Sequence, residues 1–212
     1  MEFNELIQAR HSVRDFQKQP VSESDLRTII SQAQMSPSWV NSQPWQVYVA
    51  NGETATKIRT AYAKGAADGI KGHPDLPLTH RADWSATAQA NMANFAAERD
   101  AMGIGETFVT SEAEVFQAPT LVFLTIAKPS NPWSLYDLGL FSQSLMLAAK
   151  NLGIDSIPAY NIVRYPDILR EVMEIPADQV IVMGIALGYA TDNPINTFQP
   201  QRQAVDEVLT IK

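Results

Sequence analysis

The chain has 212 residues, 45% of them hydrophobic, which is enough for one domain with a sizeable core. Its formal net charge of −7 argues against broad binding to nucleic acid or anionic membranes, since both require a basic surface. Cysteine is absent, which excludes disulfides, thiol catalysis and thiolate metal sites. The first residues lack the pattern of a signal peptide and the apolar runs are too short to span a bilayer, so we expect a cytoplasmic globular protein.

Apolar residues at helical spacing predict six helices. The second follows Ser22, which starts a capping-box-like sequence, and the fifth is predicted to be capped by Ser134 and to stop at Gly153. Gly139 lies inside this fifth helix at a cost of about 1 kcal/mol relative to alanine, which predicts close packing of a second helix there. In chain order the predicted helices cover 3–9, 22–33, 54–67, 83–100, 134–152 and 167–173.

Four strands are predicted between these helices, over 45–49, 120–126, 154–158 and 180–187. The alternation from Trp45 to Val49 predicts a strand with two differently lined faces, whereas Thr120–Ile126 is a continuous apolar run typical of a strand buried on both faces. The other segments are predicted to be irregular. They comprise an ordered, proline-containing loop over 35–45, a long loop or lid over 65–81, and a tail over 190–212 that is expected to lie as an arm on another surface.

Candidate chemistry concentrates in one stretch, Arg10-His11-Ser12-Val13-Arg14. Arginine presents a planar fork of donors that suits phosphate or carboxylate oxygens. From these residues alone, a solvated turn with surface ion pairs and a site for an anionic ligand are both open. The chain has no glycine-rich phosphate loop, no nucleophile elbow and no evident acid–base pair, and the spacing of His73 and His80 does not suit a metal. This combination favours a protein that holds a cofactor which carries the chemistry.

Four separated motifs resemble the nitroreductase family of FMN-dependent oxidoreductases, and the resemblance covers nearly the whole chain. It implies an α+β fold with a central, mostly antiparallel sheet flanked by helices, and one domain over 1–212. It also implies an intertwined homodimer with a C-terminal arm over 190–212, and a divergent, substrate-covering insert over 66–114. The motifs are Arg10-His11-Ser12-Val13-Arg14-x-Phe16, Pro37-Ser38-x-x-Asn41-x-Gln43-Pro44-Trp45, Gly184-x-Ala186-Leu187-Gly188-Tyr189 and Asn196-x-Phe198-x-x-x-Arg202.

The resemblance assigns residues to an FMN pocket between the two subunits. Arg10, Ser12 and Arg202 would bind the phosphate and the ribityl chain. Arg14 would approach the N1/O2 edge of the flavin, where a guanidinium favours the negative charge of the reduced ring. The other implied contacts are His11 along the flavin, the backbone of Pro158, Ala159 and Tyr160 near N5, and Pro37, Ser38 and Asn41 from the partner subunit.

The implied activity is hydride transfer from NADH or NADPH through FMN to a flat, electron-poor acceptor such as a nitroaromatic or quinone. One pocket used in turn by both substrates predicts ping-pong kinetics. The alternatives are a relative with other flavin chemistry (enone reduction, dehalogenation or dehydrogenation) and a protein that binds FMN without turnover. Two departures from the family pattern concern the site. Gln199, Pro200 and Gln201 stand where a further basic residue is common, and Ser156-Ile157 precede Pro158.

Overall fold

The computed structural model describes all 212 residues, which form four β-strands and eight α-helices. The strands build one sheet with helices on both faces, which confirms the predicted α+β class. None of the helices combines the length and the apolar character that a transmembrane span requires. The helices are α1 (Phe3–Ala9), α2 (Glu23–Ala33), α3 (Glu53–Ala67), α4 (Ala86–Ala101), α5 (Gly105–Ala113), α6 (Pro132–Asn151), α7 (Pro166–Met173) and α8 (Val205–Val208), and the strands are β1 (Trp45–Asn51), β2 (Thr120–Ala127), β3 (Asp155–Pro158) and β4 (Gln179–Gly188).

The sheet has the strand order β1-β2-β4-β3, and all three pairings are antiparallel. Strand β2 pairs with β1 from Trp45 opposite Ile126 to Asn51 opposite Thr120, and it pairs with β4 on its other side. This central position explains the apolar run in the sequence, since every residue of β2 except the last is buried. Strands β1 and β3 are the two edges of the sheet.

Neighbouring residues of β2 point into two hydrophobic clusters, one on each face of the sheet. Phe123 packs with buried residues of α3 and α7. Leu124 packs with buried residues of α2 and α6 on the opposite face. On this second face the ring of Trp45 stacks on that of Phe141, with 4.8 Å between the centroids. Trp45 is therefore a residue of the core, with 4% of its surface exposed.

Helix α6 begins earlier than predicted, and its cap is Asn131 rather than Ser134. The side-chain oxygen of Asn131 accepts hydrogen bonds from the N–H groups of Trp133 and Ser134, at 2.9 and 3.2 Å. Pro132 occupies the first turn, where a missing N–H has no consequence for the helix. Gly139 has no atom within 4 Å of the position that a Cβ would take, so the predicted close helix packing does not occur within this chain.

The sequence does not predict helix α5, because Gly103 and Gly105 are together typical of a helix end. Gly103, with a φ of +68°, does follow the end of α4, but Gly105 begins α5 only two residues later. The additional helix brings Phe108 into contact with Phe95 of α4, with 5.8 Å between the ring centroids.

The C-terminal tail divides at Phe198. Ile195 and Phe198 are buried in a third hydrophobic cluster with Phe108. Residues 201–212 are exposed along their whole length. The expected arm over 190–212 therefore begins later than the sequence indicates, because the first part of the tail packs on its own chain.

Candidate functional site

The arginine-rich stretch lies along the edge strand β3. Ser12 forms a parallel bridge with Ser156, and the next N–H of the chain donates to the Ser156 carbonyl at 3.1 Å. Because the two segments run in the same direction, Arg14 is level with Pro158. The Oγ of Ser156 is buried at this edge and has no hydrogen-bond partner. Two of the predicted site segments, far apart in the sequence, are therefore neighbours.

The turn after β3 presents two free N–H groups. The N–H of Ala159 donates to a carbonyl of β4 at 3.0 Å, and that of Ile162 donates to the Ala159 carbonyl at 3.2 Å. Between them, the N–H groups of Tyr160 and Asn161 donate to no acceptor in the chain, because they open a 3₁₀ turn. Asn161 is a candidate contact that no sequence motif singles out.

Arg14 is buried, with 6% of its surface exposed, and no carboxylate pairs with it. Its guanidinium lies over the rings of Phe108 and Phe198, at 4.6 and 5.5 Å from their centroids. Only Nη1 donates within the chain, to the Ser12 carbonyl at 3.0 Å. Burial lowers the pKa of Arg14 to about 10, although the Glu112 carboxylate acts in the opposite direction. The side chain is therefore still cationic at neutral pH, with donors free for a ligand.

Arg10 and Arg202, which the family resemblance assigns to one phosphate, are close enough to influence each other's charge. Burial lowers the pKa of Arg10, and the positive charge of Arg202 lowers it further. Neither guanidinium forms an ion pair, and Arg202 donates only to the carbonyls of Pro200 and Gln201, at 2.6 and 3.3 Å. The Glu98 carboxylate accepts a hydrogen bond from the N–H of Gln201 at 3.1 Å but pairs with neither arginine, so both guanidiniums are free to bind an anion.

His11 connects the end of α1 to the tail. Its Nδ1 lies 3.0 Å from the Ala9 carbonyl oxygen and its Nε2 lies 2.8 Å from that of Asn196. A neutral imidazole donates to only one of these two oxygens, so the tautomer decides which contact is a hydrogen bond. The ring is therefore oriented by the backbone on both sides.

Pro37, Ser38 and Asn41 are not brought together with the Arg10–Arg14 stretch within this chain. They lie in the loop beside the start of α6, where the N–H of Trp39 donates to the Asp137 carboxylate at 3.1 Å. Next to them is an exposed apolar surface, which we call the α6 surface. It consists of Trp39, Val40, Trp133 and Tyr136.

The loop predicted as a lid over 65–81 is fixed to the body of the protein. Asp75 pairs with Arg170 at 2.6 Å and accepts a hydrogen bond from the N–H of Ile181 at 2.7 Å. A Cβ added to Gly72 would lie 2.7 Å from the hydroxyl of Tyr160, so the loop runs directly beside the predicted N5 segment. Its position thus agrees with a cover, but it is held in place by polar contacts.

Comparison with known proteins gives one family. Residues 7–189 match the Nitroreductase family. The chloronitrobenzene nitroreductase of Comamonas testosteroni is 30% identical over 98% of this chain and 95% of its own length. The 4-nitrobenzoate reductase of Pseudomonas putida is 28% identical over 95% of this chain and 92% of its own length.

Solved structures give the same result. The FMN-dependent nitroreductase NfnB from Mycobacterium smegmatis, in complex with NADPH, superposes with a TM-score of 0.90 at 26% identity and covers 99% of this chain and 97% of its own. The FMN and NADPH-dependent nitroreductase NfnB from sphigopyxis sp. strain HMH has a TM-score of 0.89 at 26% identity, with 100% and 99% coverage.

Proposed function

The chain belongs to the nitroreductase family, and from this premise we propose that it is an FMN-dependent oxidoreductase that uses NADH or NADPH to reduce flat, electron-poor acceptors such as nitroaromatics or quinones. The relatives and neighbours named above, which carry nitroreductase activity, FMN and NADPH in their names, support this activity. The observation in this chain that carries the proposal is a pair of neighbouring guanidiniums that form no ion pair, Arg10 and Arg202.

The FMN phosphate is assigned to Arg10 and Arg202. A phosphate carries up to two negative charges and several acceptor oxygens, which match two guanidinium forks. Ser12, two residues after Arg10, adds a hydroxyl to the same side of the site for the ribityl chain. Gln199, Pro200 and Gln201 stand where the family resemblance leads one to expect a further basic residue, so the two arginines would carry the phosphate charge between them.

The flavin ring is assigned to the space beside β3. When bound there, FMN supplies the two-electron chemistry, so that the residues of the chain need only bind and orient. Arg14 would hold the N1/O2 edge through its positive charge, and the free N–H groups of Tyr160 and Asn161 would be donors for N5 and its neighbouring carbonyl. The buried, unpartnered Oγ of Ser156 adds a further polar group at the same edge.

We assign Pro37, Ser38 and Asn41 to the pocket of a partner subunit. Within one chain they lie away from the arginines, beside the exposed α6 surface. Apolar residues in one contiguous surface favour burial against another molecule. If a second copy of the chain covered the α6 surface, this loop would lie beside the Arg10–Arg14 stretch of that second copy.

The C-terminal arm supports the same assembly. The outer edge of β1 pairs with no strand, and a free edge readily accepts an extended segment. The arm carries apolar side chains that nothing in its own chain covers. We therefore propose an intertwined homodimer in which each chain is one domain over 1–212. The exposed arm residues are Val205, Val208, Leu209 and Ile211.

A flavin assay tests the proposed activity. Purified protein reconstituted with FMN is expected to be yellow, to bleach anaerobically with NADH or NADPH, and to regain its colour with nitrobenzene. Bound flavin that never bleaches would indicate a binding protein, whereas protein that takes up no FMN would contradict both. Parallel double-reciprocal plots are expected for ping-pong use of one pocket. We also propose a cytoplasmic location, since the reaction consumes NADH or NADPH.

The variant Arg202→Ala tests the phosphate assignment, and Arg27→Ala is its matched control. Arg27 is an exposed arginine on α2 that pairs with Glu23 at 2.7 Å and lines a cavity with Val47 and Val49 of β1, the edge strand opposite β3. We expect FMN affinity to fall about 10- to 100-fold in Arg202→Ala, because a charge-assisted hydrogen bond is lost, and to be unchanged in Arg27→Ala. An equal effect of both substitutions would contradict the assignment.

A further inference from the structure

Helix α5 contacts both the side chain and the backbone of Arg14. The ring of Phe108 lies under the guanidinium, 4.6 Å from its central carbon, and the hydroxyl of Ser111 donates to the Arg14 carbonyl. Phe108 and Ser111 are three residues apart in the helix and so project from one face. The insert over 66–114 thus reaches the arginine cluster through two contacts of different chemistry.

The type of group that orients Arg14 determines how much of its positive charge acts on a nearby ligand. A carboxylate partner would orient Arg14 but would also neutralise its field at a nearby ligand. An aromatic face orients a guanidinium through the ring quadrupole and leaves its positive charge in place. Arg14 has the second arrangement, since the rings of Phe108 and Phe198 contact it and no carboxylate lies within ion-pair distance, the Glu112 carboxylate acting on it only from farther away.

We propose that Phe108 is a positioning residue which holds the Arg14 guanidinium against the flavin and thereby sets the reduction potential of bound FMN. The inference rests on the proposed FMN site. Reduction places negative charge near N1/O2, so the potential depends on how firmly a positive group is held there. Helix α5 is then part of the machinery that tunes the cofactor, in addition to any role in covering the acceptor.

The chain offers a matched control within the same cluster. Phe95 contacts Phe108 and Phe198, with ring centroids 5.8 and 5.1 Å apart, but it does not contact Arg14. The variants Phe108→Leu and Phe95→Leu both remove one ring from the cluster and keep an apolar side chain. Only the first removes the aromatic face under the guanidinium.

The measurement is the midpoint potential of FMN in the holoprotein, from equilibrium titration with a redox dye, together with the dissociation constant of oxidised FMN. For Phe108→Leu we expect reduced FMN to be bound about tenfold less tightly relative to oxidised FMN, as the loss of a cation–π contact suggests. For a two-electron couple this corresponds to a potential about 30 mV lower. Phe95→Leu is expected to keep the wild-type potential.

Two further variants secure the test. Phe108→Tyr keeps the aromatic face and is expected to keep the potential, whereas Ser111→Ala removes the second contact and is expected to lower the potential even if Phe108→Leu does not fold. A wild-type potential in Phe108→Leu, or an equal drop in Phe95→Leu, would overturn the inference alone. If Phe108→Leu does not fold, a wild-type potential in Ser111→Ala would overturn it. Wild-type protein that takes up no FMN would overturn the proposed function and this inference together.

Discussion

The side-chain oxygen of Asn196 accepts hydrogen bonds from the N–H groups of Arg14 and Asp15, at 2.8 and 3.1 Å. Its Nδ2 donates to the carbonyls of Asp15 and Thr191, at 2.8 and 3.1 Å. The amide thus uses both of its polar atoms on backbone groups, and Asn196 is buried. The start of the tail is in this way fixed to the arginine-rich stretch near the other end of the chain.

The variant Asn196→Ala tests this connection. Since buried backbone groups lose their partners, we expect the free energy of unfolding to fall by about 2–4 kcal/mol, measured by urea denaturation. FMN affinity is expected to fall as well, because Asn196 no longer fixes the backbone of Arg14 to the tail that carries Arg202. Asn193→Ala is the control, since its side chain accepts one hydrogen bond, from Ile195 at 3.1 Å. An equal loss in both variants would contradict a special role for Asn196.

Arg10 and Arg14 are expected to have different roles. Arg10→Ala should weaken the binding of oxidised FMN about 10- to 100-fold, since a charged contact to the phosphate is lost. Arg14→Ala should mainly lower the midpoint potential of the flavin and should have a smaller effect on the binding of oxidised FMN. Fluorescence titration and potentiometry on the same preparations separate the two effects. If both variants lowered FMN affinity equally and left the potential unchanged, this division would be wrong.

The Asp75–Arg170 pair predicts a pH-dependent stability. Burial of Asp75 favours its neutral form, but the hydrogen bonds from Arg170 and Ile181 outweigh this, and the pKa of Asp75 lies below its usual value of 3.8. The ionised form is therefore stabilised by folding. This stability is present above pH 3.8 and is lost as the pH falls through the lower pKa of the folded state.

The variant Asp75→Asn checks this prediction. At pH 7 we expect its free energy of unfolding to be about 1–3 kcal/mol below that of the wild type, because a partly buried charged contact is removed. The difference should shrink as the pH falls below 3.8, where Asp75 of the unfolded wild type takes up its proton, and should vanish once Asp75 of the folded state is neutral as well. Asp68→Asn, which removes an exposed pair with Lys64, should cost about 0.5 kcal/mol or less. A pH-independent difference for Asp75→Asn would refute the assignment.

If the α6 surface is the dimer interface, a charged substitution on it should weaken the dimer. Trp133 is 60% exposed in the single chain, so Trp133→Asp should fold, but its carboxylate would be desolvated against a partner. We expect the dimer dissociation constant to rise about 100-fold or more, measured by analytical ultracentrifugation. Lys57→Asp, on an exposed position of α3, is the control. A Trp133→Asp variant as dimeric as the wild type would exclude this surface from the interface.

Local sequence patterns predict the sheet well, because the burial of a strand determines which of its positions are apolar. The run Thr120–Ile126 is apolar since β2 is central, and the alternation from Trp45 marks an edge strand. Helix α5 escaped prediction because Gly103 and Gly105 together are typical of a helix end. The sequence pattern favours Ser134 as the cap of α6, although Pro132 in the first turn indicates that the helix starts at Asn131.

The candidate site was less accessible from local patterns. The type of residue in Arg10–Arg14 indicates an anion, but only the family resemblance connects this stretch to Arg202. Three of the four hydrogen bonds of Asn196 join segments about 180 residues apart, and no periodicity encodes such a contact. Phe108 has the pattern of an ordinary core residue, and its position under a guanidinium emerges only when α5 and the tail are packed together.

The like charges of Arg10 and Arg202 have a consequence for the life of the protein in the cell. A phosphate bound between them, as proposed, would relieve their repulsion, so that flavin binding and folding stability would be linked. A ligand at 100 times its dissociation constant adds about 2.7 kcal/mol to the stability of its folded partner. Where riboflavin is scarce, we expect newly made chains to unfold more often and to be degraded sooner. Vitamin supply would then set the abundance of the enzyme as well as its activity.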